Sequence, residues 1–383
     1  MAFNFSPLAQ IKSALGLKSS AGSVLGIDIG ASSAKIVQLR SAHGAAILET
    51  YGEIALGPYG DVAIGRAVKL TPEKTAEALV DLMREANVTS REGGISIPFS
   101  SSLISILDMP KVDSDQLKRM IPIEARKYIP LPVSEVMLDW FVVPHDEPQD
   151  AAFDRIEKET QMQKSGQEVL LVAIHNETVR AYQTIAAETG LSVRFFEIEI
   201  FSAVRSSLRS GVAPILVIDL GAATTKMYIV ERGIVRTTHL VTHGGQHMSE
   251  NLARSLGWEF EKAERVKRER GLADSSAFST DENDKIRTAL LSTLERVFSE
   301  ANRVVLSYGK RYNKNVSHAV LTGGGASLPG LPAHANQLLQ VEVEISDPFG
   351  RTETPAFLDK VLKEIGPGFA VAVGLALRDL QHR

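Results

Sequence analysis

The stretch GIDIGASSAK at Gly26–Lys35 has a close counterpart in VIDLGAATTK at Val217–Lys226. In both, Ile-Asp is followed by an aliphatic residue, Gly-Ala and small residues that include hydroxylated ones, and a lysine lies seven positions after the aspartate. One copy alone is equally well explained as a hairpin turn with a capping aspartate. Two matched copies about half a chain apart predict two similar half-domains that face a common cleft.

A turn of this kind, placed directly after an apolar strand, can bind phosphate. Small residues leave backbone N–H groups uncovered, and uncovered N–H groups are good phosphate ligands. Ser32 and Ser33 add hydroxyl donors, and Lys35 can lie along a polyphosphate as a point charge. Asp28 and Asp219, each emerging from the end of a buried strand, can hold Mg²⁺ directly or through water. The pair of turns therefore predicts a nucleotide phosphate chain embraced from two sides.

Two further segments of the second half fit such a ligand. The glycines of Gly323–Gly325 follow the apolar strand AVLT and let the backbone approach a flat group such as adenine or ribose. Glu264 and Lys267 are three positions apart on a predicted helix, so they share a face and could contact ribose hydroxyls and the base. The alternative for this pair is a solvated charged helix, because other charged residues surround it.

The composition limits the class of protein. The chain is 44% hydrophobic and 23% charged with a formal net charge of −4, which is typical of soluble globular proteins. Mild acidity argues against a nucleic-acid binder that relies on phosphate neutralisation. The absence of cysteine excludes disulfides and cysteine-ligated metals.

Two segments lie outside the paired half-domains. Residues 1–22 carry Leu8, Ile11 and Leu15 at helical spacing, which predicts a short helix docked on its own domain, with a membrane surface or a partner as the alternative. Residues 101–175 read as a β-α-β-β insertion. Its predicted helix contains Pro122, which we expect to kink or interrupt it, and its polar stretch 145–167 predicts an exposed loop or hairpin extension.

In this order, the elements resemble the phosphate-1, phosphate-2 and adenosine loops of the actin/Hsp70/sugar-kinase ATPase superfamily. An insertion between the first two motifs is similar to the FtsA and PilM families. EARKYIPLPVSEVMLDW, GLSVRFFEIEIFSAVRS and GGQHMSENLARSLGWEFEKAERVK look specifically like the PilM family of type IV pilus assembly proteins. The resemblance implies an α/β, duplicated actin-like (ribonuclease H-like) ATPase fold with a small β-α-β-β insertion domain.

The resemblance also implies subdomain boundaries and site residues. The expected parts are an N-terminal segment (1–22), a subdomain 1A (23–100 and 176–213), an inserted subdomain 1C (101–175), a subdomain 2A (214–243 and 320–383) and a subdomain 2B (244–319). Asp28 and Asp219 would sit near Mg²⁺. The residues expected to contact ATP are Gly30, Ala31, Ser32, Ser33 and Lys35 on one side of the phosphates, Gly221, Ala222, Ala223 and Thr224 on the other, and Glu264, Lys267, Gly323, Gly324 and Gly325 around the adenosine.

A catalytic residue is less sharply indicated. In related ATPases a polar residue just before the second aspartate strand positions the attacking water. The best match is Glu199, with Glu197 as an alternative because a period of two puts both on one strand face. Either could instead be a surface carboxylate. We expect slow turnover or none, since a scaffold needs only bound ATP to keep its halves closed.

The family resemblance implies partners and a location. Members of the family are cytoplasmic and lie peripherally on the cytoplasmic face of the inner membrane. They bind the short N-terminal cytoplasmic tail of the membrane protein PilN. Contacts with other pilus platform proteins and self-association are further expectations. Two alternatives differ in class: an FtsA-like, filament-forming cell-division protein, and an ATP-dependent small-molecule kinase of the same superfamily.

Overall fold

The computed structural model of the chain describes residues 22–144, 166–209, 211–339 and 341–381. The predicted N-terminal helix and most of the predicted polar loop lie outside the described residues. Within the described part of the chain, no helix is both long and apolar enough to cross a membrane.

The first half of the chain contains eight strands and four α-helices among its described residues. In chain order they are β1 (Ser23–Ile29), β2 (Ser33–Ala42), β3 (Ala45–Ala55), α1 (Pro72–Glu85), β4 (Glu92–Ile97), β5 (Ser102–Met109), α2 (Ser114–Ala125), β6 (Val136–Val142), β7 (Gln167–His175), α3 (Asn176–Glu188), β8 (Ser192–Ile198) and α4 (Glu199–Ser207).

The second half continues with five strands and six α-helices over the ranges that the structure describes. They are β9 (Ile215–Leu220), β10 (Thr225–Glu231), β11 (Ile234–Val241), α5 (Gly245–Leu256), α6 (Phe260–Arg270), α7 (Thr280–Tyr312), β12 (His318–Thr322), α8 (Leu331–Leu339), β13 (Glu342–Ile345), α9 (Asp359–Ile365) and α10 (Ala370–Gln381).

The two halves are built on sheets of the same topology. The first has the strand order β3-β2-β1-β4-β8 and the second has the order β11-β10-β9-β12-β13. In each, the central strand pairs antiparallel with the next strand along the chain and parallel with a later one. The aspartate turns occupy equivalent places, between β1 and β2 and between β9 and β10. This confirms the predicted duplicated actin-like α/β fold.

The C-terminal helix α10 belongs in sequence to the second half but packs on the first. It contacts β1, β2, β4 and helix α4, and every residue from Ala370 to Asp379 is buried. The approach to β1 is very close, because a Cβ atom built on Gly26 would lie 1.9 Å from the carbonyl oxygen of Ala372. The glycine that opens the first motif is therefore required for this helix to join the two halves.

The insertion forms a third sheet with the order β5-β7-β6 and the predicted β-α-β-β sequence of elements. Helix α2 covers one face with Leu117 and Ile121, while Ile104, Leu170 and other residues of the opposite face join the core of the first half. The expected interruption at Pro122 does not occur, since α2 continues to Ala125. Pro122 removes one hydrogen bond, the one to the carbonyl of Lys118, and the helix continues for three residues beyond it.

Candidate functional site

A cleft of about 1100 Å³ opens between the two halves. Its walls come from both aspartate turns, from helices α5 and α6 and from the glycine turn after β12. The cleft is lined by all seventeen first-choice site residues and not by the alternative Glu197: Asp28, Gly30, Ala31, Ser32, Ser33, Lys35, Glu199, Asp219, Gly221, Ala222, Ala223, Thr224, Glu264, Lys267, Gly323, Gly324 and Gly325. Segments almost 300 positions apart in the chain are thus brought into one space.

The two turns have the same local geometry. The N–H of Gly30 donates to the carbonyl of Ser33 at 3.0 Å, and the N–H of Gly221 donates to the carbonyl of Thr224 at 3.0 Å. In each turn this bond closes a tight loop whose tip points its small residues into the cleft. Such loops present backbone N–H groups and so are suited to bind an anion from opposite sides.

The carboxylates at the strand ends have different partners. The Ser96 hydroxyl donates to Asp28 Oδ1 at 2.8 Å, whereas Lys226 Nζ donates to Asp219 Oδ2 at 3.0 Å. Burial raises the pKa of Asp28, and the charge of Lys35 opposes that rise. Carboxylate oxygens are hard ligands of the kind that Mg²⁺ prefers. Those of Asp28 and Asp219 are held in a partly desolvated site.

Glu199 lies inside the cleft, but the strand argument that added Glu197 as its alternative is wrong. Strand β8 ends at Ile198, and Glu199 is the first residue of α4, so it does not share a strand face with Glu197. Glu199 is 8% exposed and is not a surface carboxylate. Its Oε1 accepts the N–H of Phe99 at 2.7 Å, and its Oε2 accepts from Lys226 Nζ at 2.6 Å.

The alternative residue, Glu197, is held in a buried ion-pair network. Its carboxylate accepts from Arg205 at 2.7 and 2.8 Å and from Arg378 at 2.7 Å, with the Ser202 hydroxyl as a further donor. Burial alone would raise its pKa, but the two guanidinium groups hold the pKa below its ordinary value. Glu197 therefore joins β8, α4 and α10 and is not available to orient water.

Glu264 and Lys267 are buried, and the solvated-helix alternative is wrong for these two residues. Lys267 Nζ donates to Glu264 Oε2 at 2.6 Å and to the carbonyl of Gly245 at 2.9 Å. Ser249 completes the group by donating to the same Glu264 oxygen. Burial lowers the pKa of Lys267, although the Glu264 carboxylate opposes this. The pair fixes α5 against α6 at the cleft wall.

Beside this pair lies a contact between the two halves that the sequence did not suggest. It is made by residues 65–67, which we call the latch. The N–H of Ala67 donates to Gln246 Oε1 at 2.8 Å, and Arg66 pairs with Glu250 at 3.3 Å. The Arg66 guanidinium also lies 4.1 Å from the ring centroid of Phe260. No local pattern marks these residues, because their role depends on helices almost 200 positions later.

The fold and the cleft define the class: this is an actin-like protein. A structure of the ethanolamine utilization protein EutJ from Carboxydothermus hydrogenoformans has the same fold, with 15% identity, a TM-score of 0.52, and coverage of 94% of this chain and 90% of that one. A PilM-PilN type IV pilus biogenesis complex is more similar, with 24% identity and a TM-score of 0.74 over 93% of this chain and 98% of that one.

The particular family follows from the sequence match. The model of the family described as type IV pilus assembly protein PilM matches residues 26–380. The chain belongs to the PilM family, as its insertion and the segments around both motifs predicted.

The cell division protein FtsA is a more distant relative. The chain is 30% identical over 185 residues to FtsA of Rhizobium meliloti (strain 1021), covering 42% of this chain and 39% of that protein. It is 26% identical over 241 residues to FtsA of Agrobacterium fabrum, covering 54% of this chain and 52% of that protein. The chain thus spans about half of these relatives or less, and the similarity supports the actin-like relationship only.

Proposed function

We propose that this protein is an ATP-binding scaffold of the type IV pilus inner-membrane assembly platform. Membership of the PilM family supports its role in pilus assembly. The observation that carries the ATP proposal is the convergence of both aspartate turns, the glycine turn and the Glu264–Lys267 pair on one cleft. Paired N–H turns suit a phosphate chain, and the glycine turn suits a flat base or a ribose.

The residues present fit Mg²⁺ bound together with nucleotide. Within the described ranges, no group of three or more His, Asp or Glu side chains could hold a metal ion by itself. Mg²⁺ usually takes one or two carboxylates and completes its shell with water and phosphate oxygens. Asp28 could supply one of those carboxylate contacts and Asp219 the other, through the oxygen that Lys226 does not contact, and the ion would neutralise charge on the phosphates.

Turnover is proposed to be slow or absent. Glu199 is the candidate for orienting a water molecule, but Phe99 and Lys226 already engage its two oxygens. A general base must reach its water and take a proton from it, and the positive charge of Lys226 opposes proton uptake by the Glu199 carboxylate. Bound ATP would then act mainly by holding the halves closed, through its higher affinity for that state.

The proposed partner is the N-terminal cytoplasmic tail of PilN. The solved PilM-PilN type IV pilus biogenesis complex supports this proposal. We place the tail near the junction of the first half and the insertion, which would keep this protein on the cytoplasmic face of the inner membrane. The insertion also touches the second half, where Arg236 pairs with Glu168, so closure of the cleft and the shape of this junction would be linked.

The first test is to purify the protein without added nucleotide, denature it and identify what is released by chromatography. Near-stoichiometric ATP from the wild type, and none from Asp219→Ala, is the expected result. A tail-peptide column should retain the wild-type protein. If nothing is released and added Mg-ATP does not bind, the aspartate turns are architecture only. Sugar-stimulated ATP consumption would support the kinase alternative instead.

The latch should slow the release of nucleotide. Arg66→Ala removes a half-exposed ion pair and a cation–π contact, each contributing about 0.5–1 kcal/mol. Together these amount to about 1–2 kcal/mol, so we expect ATP to dissociate roughly five- to thirtyfold faster, since 1.4 kcal/mol is about tenfold. Stopped-flow displacement of a fluorescent ATP analogue measures this rate.

The matched control for this test is Arg303→Ala. Arg303 is exposed and pairs with Glu300 on its own helix, so its loss should leave the rate unchanged. Equal dissociation rates in the wild type and Arg66→Ala would show that the latch does not contribute to nucleotide retention.

A further inference from the structure

The lysine of the second motif lies inside the site, where it contacts two acidic residues. Lys226 is the cross-strand partner of Asp219 in the β9–β10 pair. Its Nζ lies 2.6 Å from Glu199 Oε2 and 3.0 Å from Asp219 Oδ2, and its side chain is 12% exposed. A single ammonium group thus joins the end of strand β9 to the start of helix α4.

The equivalent lysine of the first motif makes different contacts. Lys35 is the cross-strand partner of Asp28, but its Nζ donates to the Ser33 hydroxyl at 2.7 Å and pairs with Glu53 at 3.0 Å. Glu53 is half-exposed at the edge of the cleft. The duplicated motif therefore places two equally buried lysines differently: Lys35 contacts Ser33 and Glu53, and Lys226 lies between Asp219 and Glu199.

The position of Lys226 is one where positive charge is required. Asp28, Asp219 and Glu199 line the same cleft, and burying like charges without a counter-charge is strongly unfavourable. In nucleotide sites of this kind a divalent cation usually supplies the positive charge. Here a covalently attached cation already lies beside Asp219, and its presence disfavours close approach of a second cation to the same oxygen.

We propose that Lys226 is a resident cation that takes over part of the charge neutralisation otherwise supplied by Mg²⁺, so that this site accepts nucleoside triphosphate without the metal as well as with it. The inference rests on the proposed ATP binding and concerns how this site differs from a strictly metal-dependent one. It makes Lys226 a positioning residue for Asp219 and Glu199.

The test compares the dissociation constant of ATP in excess Mg²⁺ with that in EDTA, by calorimetry on the full chain. For the wild type we expect the two constants to lie within about tenfold of each other, equivalent to about 1.4 kcal/mol. For Lys226→Met we expect the ratio to rise at least tenfold, because the uncompensated carboxylates then repel metal-free ATP. Lys226→Arg, which restores the charge, should return the ratio towards the wild-type value.

Lys285→Met is the matched control, because Lys285 is exposed and pairs with Asp281 on its own helix. A general loss of stability would raise both dissociation constants by the same factor and leave their ratio unchanged. If Lys226→Met does not fold, the double variant Lys226→Met with Glu199→Gln removes one charge of each sign and leaves Asp219 without its counter-charge, so a ratio above the wild-type value, with a smaller rise than tenfold, is expected.

The outcomes separate this inference from the proposed function. If the wild type binds no ATP in either condition, the proposed function fails. If it binds ATP only with Mg²⁺, or if Lys226→Met keeps the wild-type ratio, ATP binding stands and the role of Lys226 as a resident cation is overturned.

Discussion

Replacing Glu197 by alanine is expected to destabilise the folded protein by about 3–5 kcal/mol, the usual cost of removing one partner from a buried ion pair. Glu197 is 1% exposed and accepts hydrogen bonds from Arg205 and Arg378. Its removal leaves two guanidinium groups without their shared counter-charge. Because Arg378 lies on α10, the contact also holds the C-terminal helix on the first half.

Urea unfolding of the wild type and Glu197→Ala measures this difference, with Glu85→Ala as the control. Glu85 is exposed and pairs with its neighbour Arg84, so its loss should cost about 0–1 kcal/mol. A difference below about 1 kcal/mol for Glu197→Ala would contradict the structural role given to this network.

The contribution of Glu197 should also depend on pH. Its folded-state pKa lies below the ordinary value of 4.5, so the carboxylate binds protons more readily when the chain is unfolded. The stabilisation is therefore fully present above the ordinary pKa and is lost as pH falls through the folded-state pKa. The difference in unfolding free energy between the wild type and Glu197→Ala should therefore narrow as the pH falls below the ordinary pKa of 4.5.

Replacing Gly323 by valine is expected to weaken ATP binding about a hundredfold or more, equivalent to about 3 kcal/mol. Gly323 has φ 80° and ψ 167°, a combination essentially restricted to glycine. A Cβ there would lie 2.3 Å from Asp219 Oδ1 and 2.7 Å from the carbonyl of Leu220. The valine must therefore displace the aspartate of the second motif or the glycine turn itself.

Gly44→Val separates backbone strain from damage to the site. Gly44 has φ 82°, but an added Cβ would meet nothing within 4 Å. Both variants should lose stability by about 1–3 kcal/mol, and only Gly323→Val should lose ATP affinity in calorimetric titrations at a temperature where both are folded. Equal ATP affinity in the two variants would show that the glycine turn is not part of the ATP site.

The duplicated fold could be predicted because its signals are local. A buried strand, an aspartate at its end and a turn of small residues are all contained in ten consecutive positions, and the repeat of that pattern predicts two equivalent sheets. The glycine turn after β12 could be predicted from the sequence for the same reason. The Glu264–Lys267 pair was placed on the correct helix, but its burial was not predictable, because helix α5, which supplies Ser249 and the carbonyl of Gly245, covers it.

The amino-acid sequence by itself determined the two matched aspartate turns and the half-domains they begin, since these rest on short-range patterns. It indicated the fold class, the family and the site residues through the resemblance that the motifs and the quoted segments carry. Only the tertiary structure decided what the charged groups do there. Glu197 and Glu199 differ because the chain changes from strand to helix between them. Lys35 and Lys226 differ because Lys226 contacts the aspartate of its own motif together with Glu199 of α4, whereas Lys35 pairs with Glu53 of β3. Charge interactions depend on distances between segments remote in sequence, and packing sets those distances.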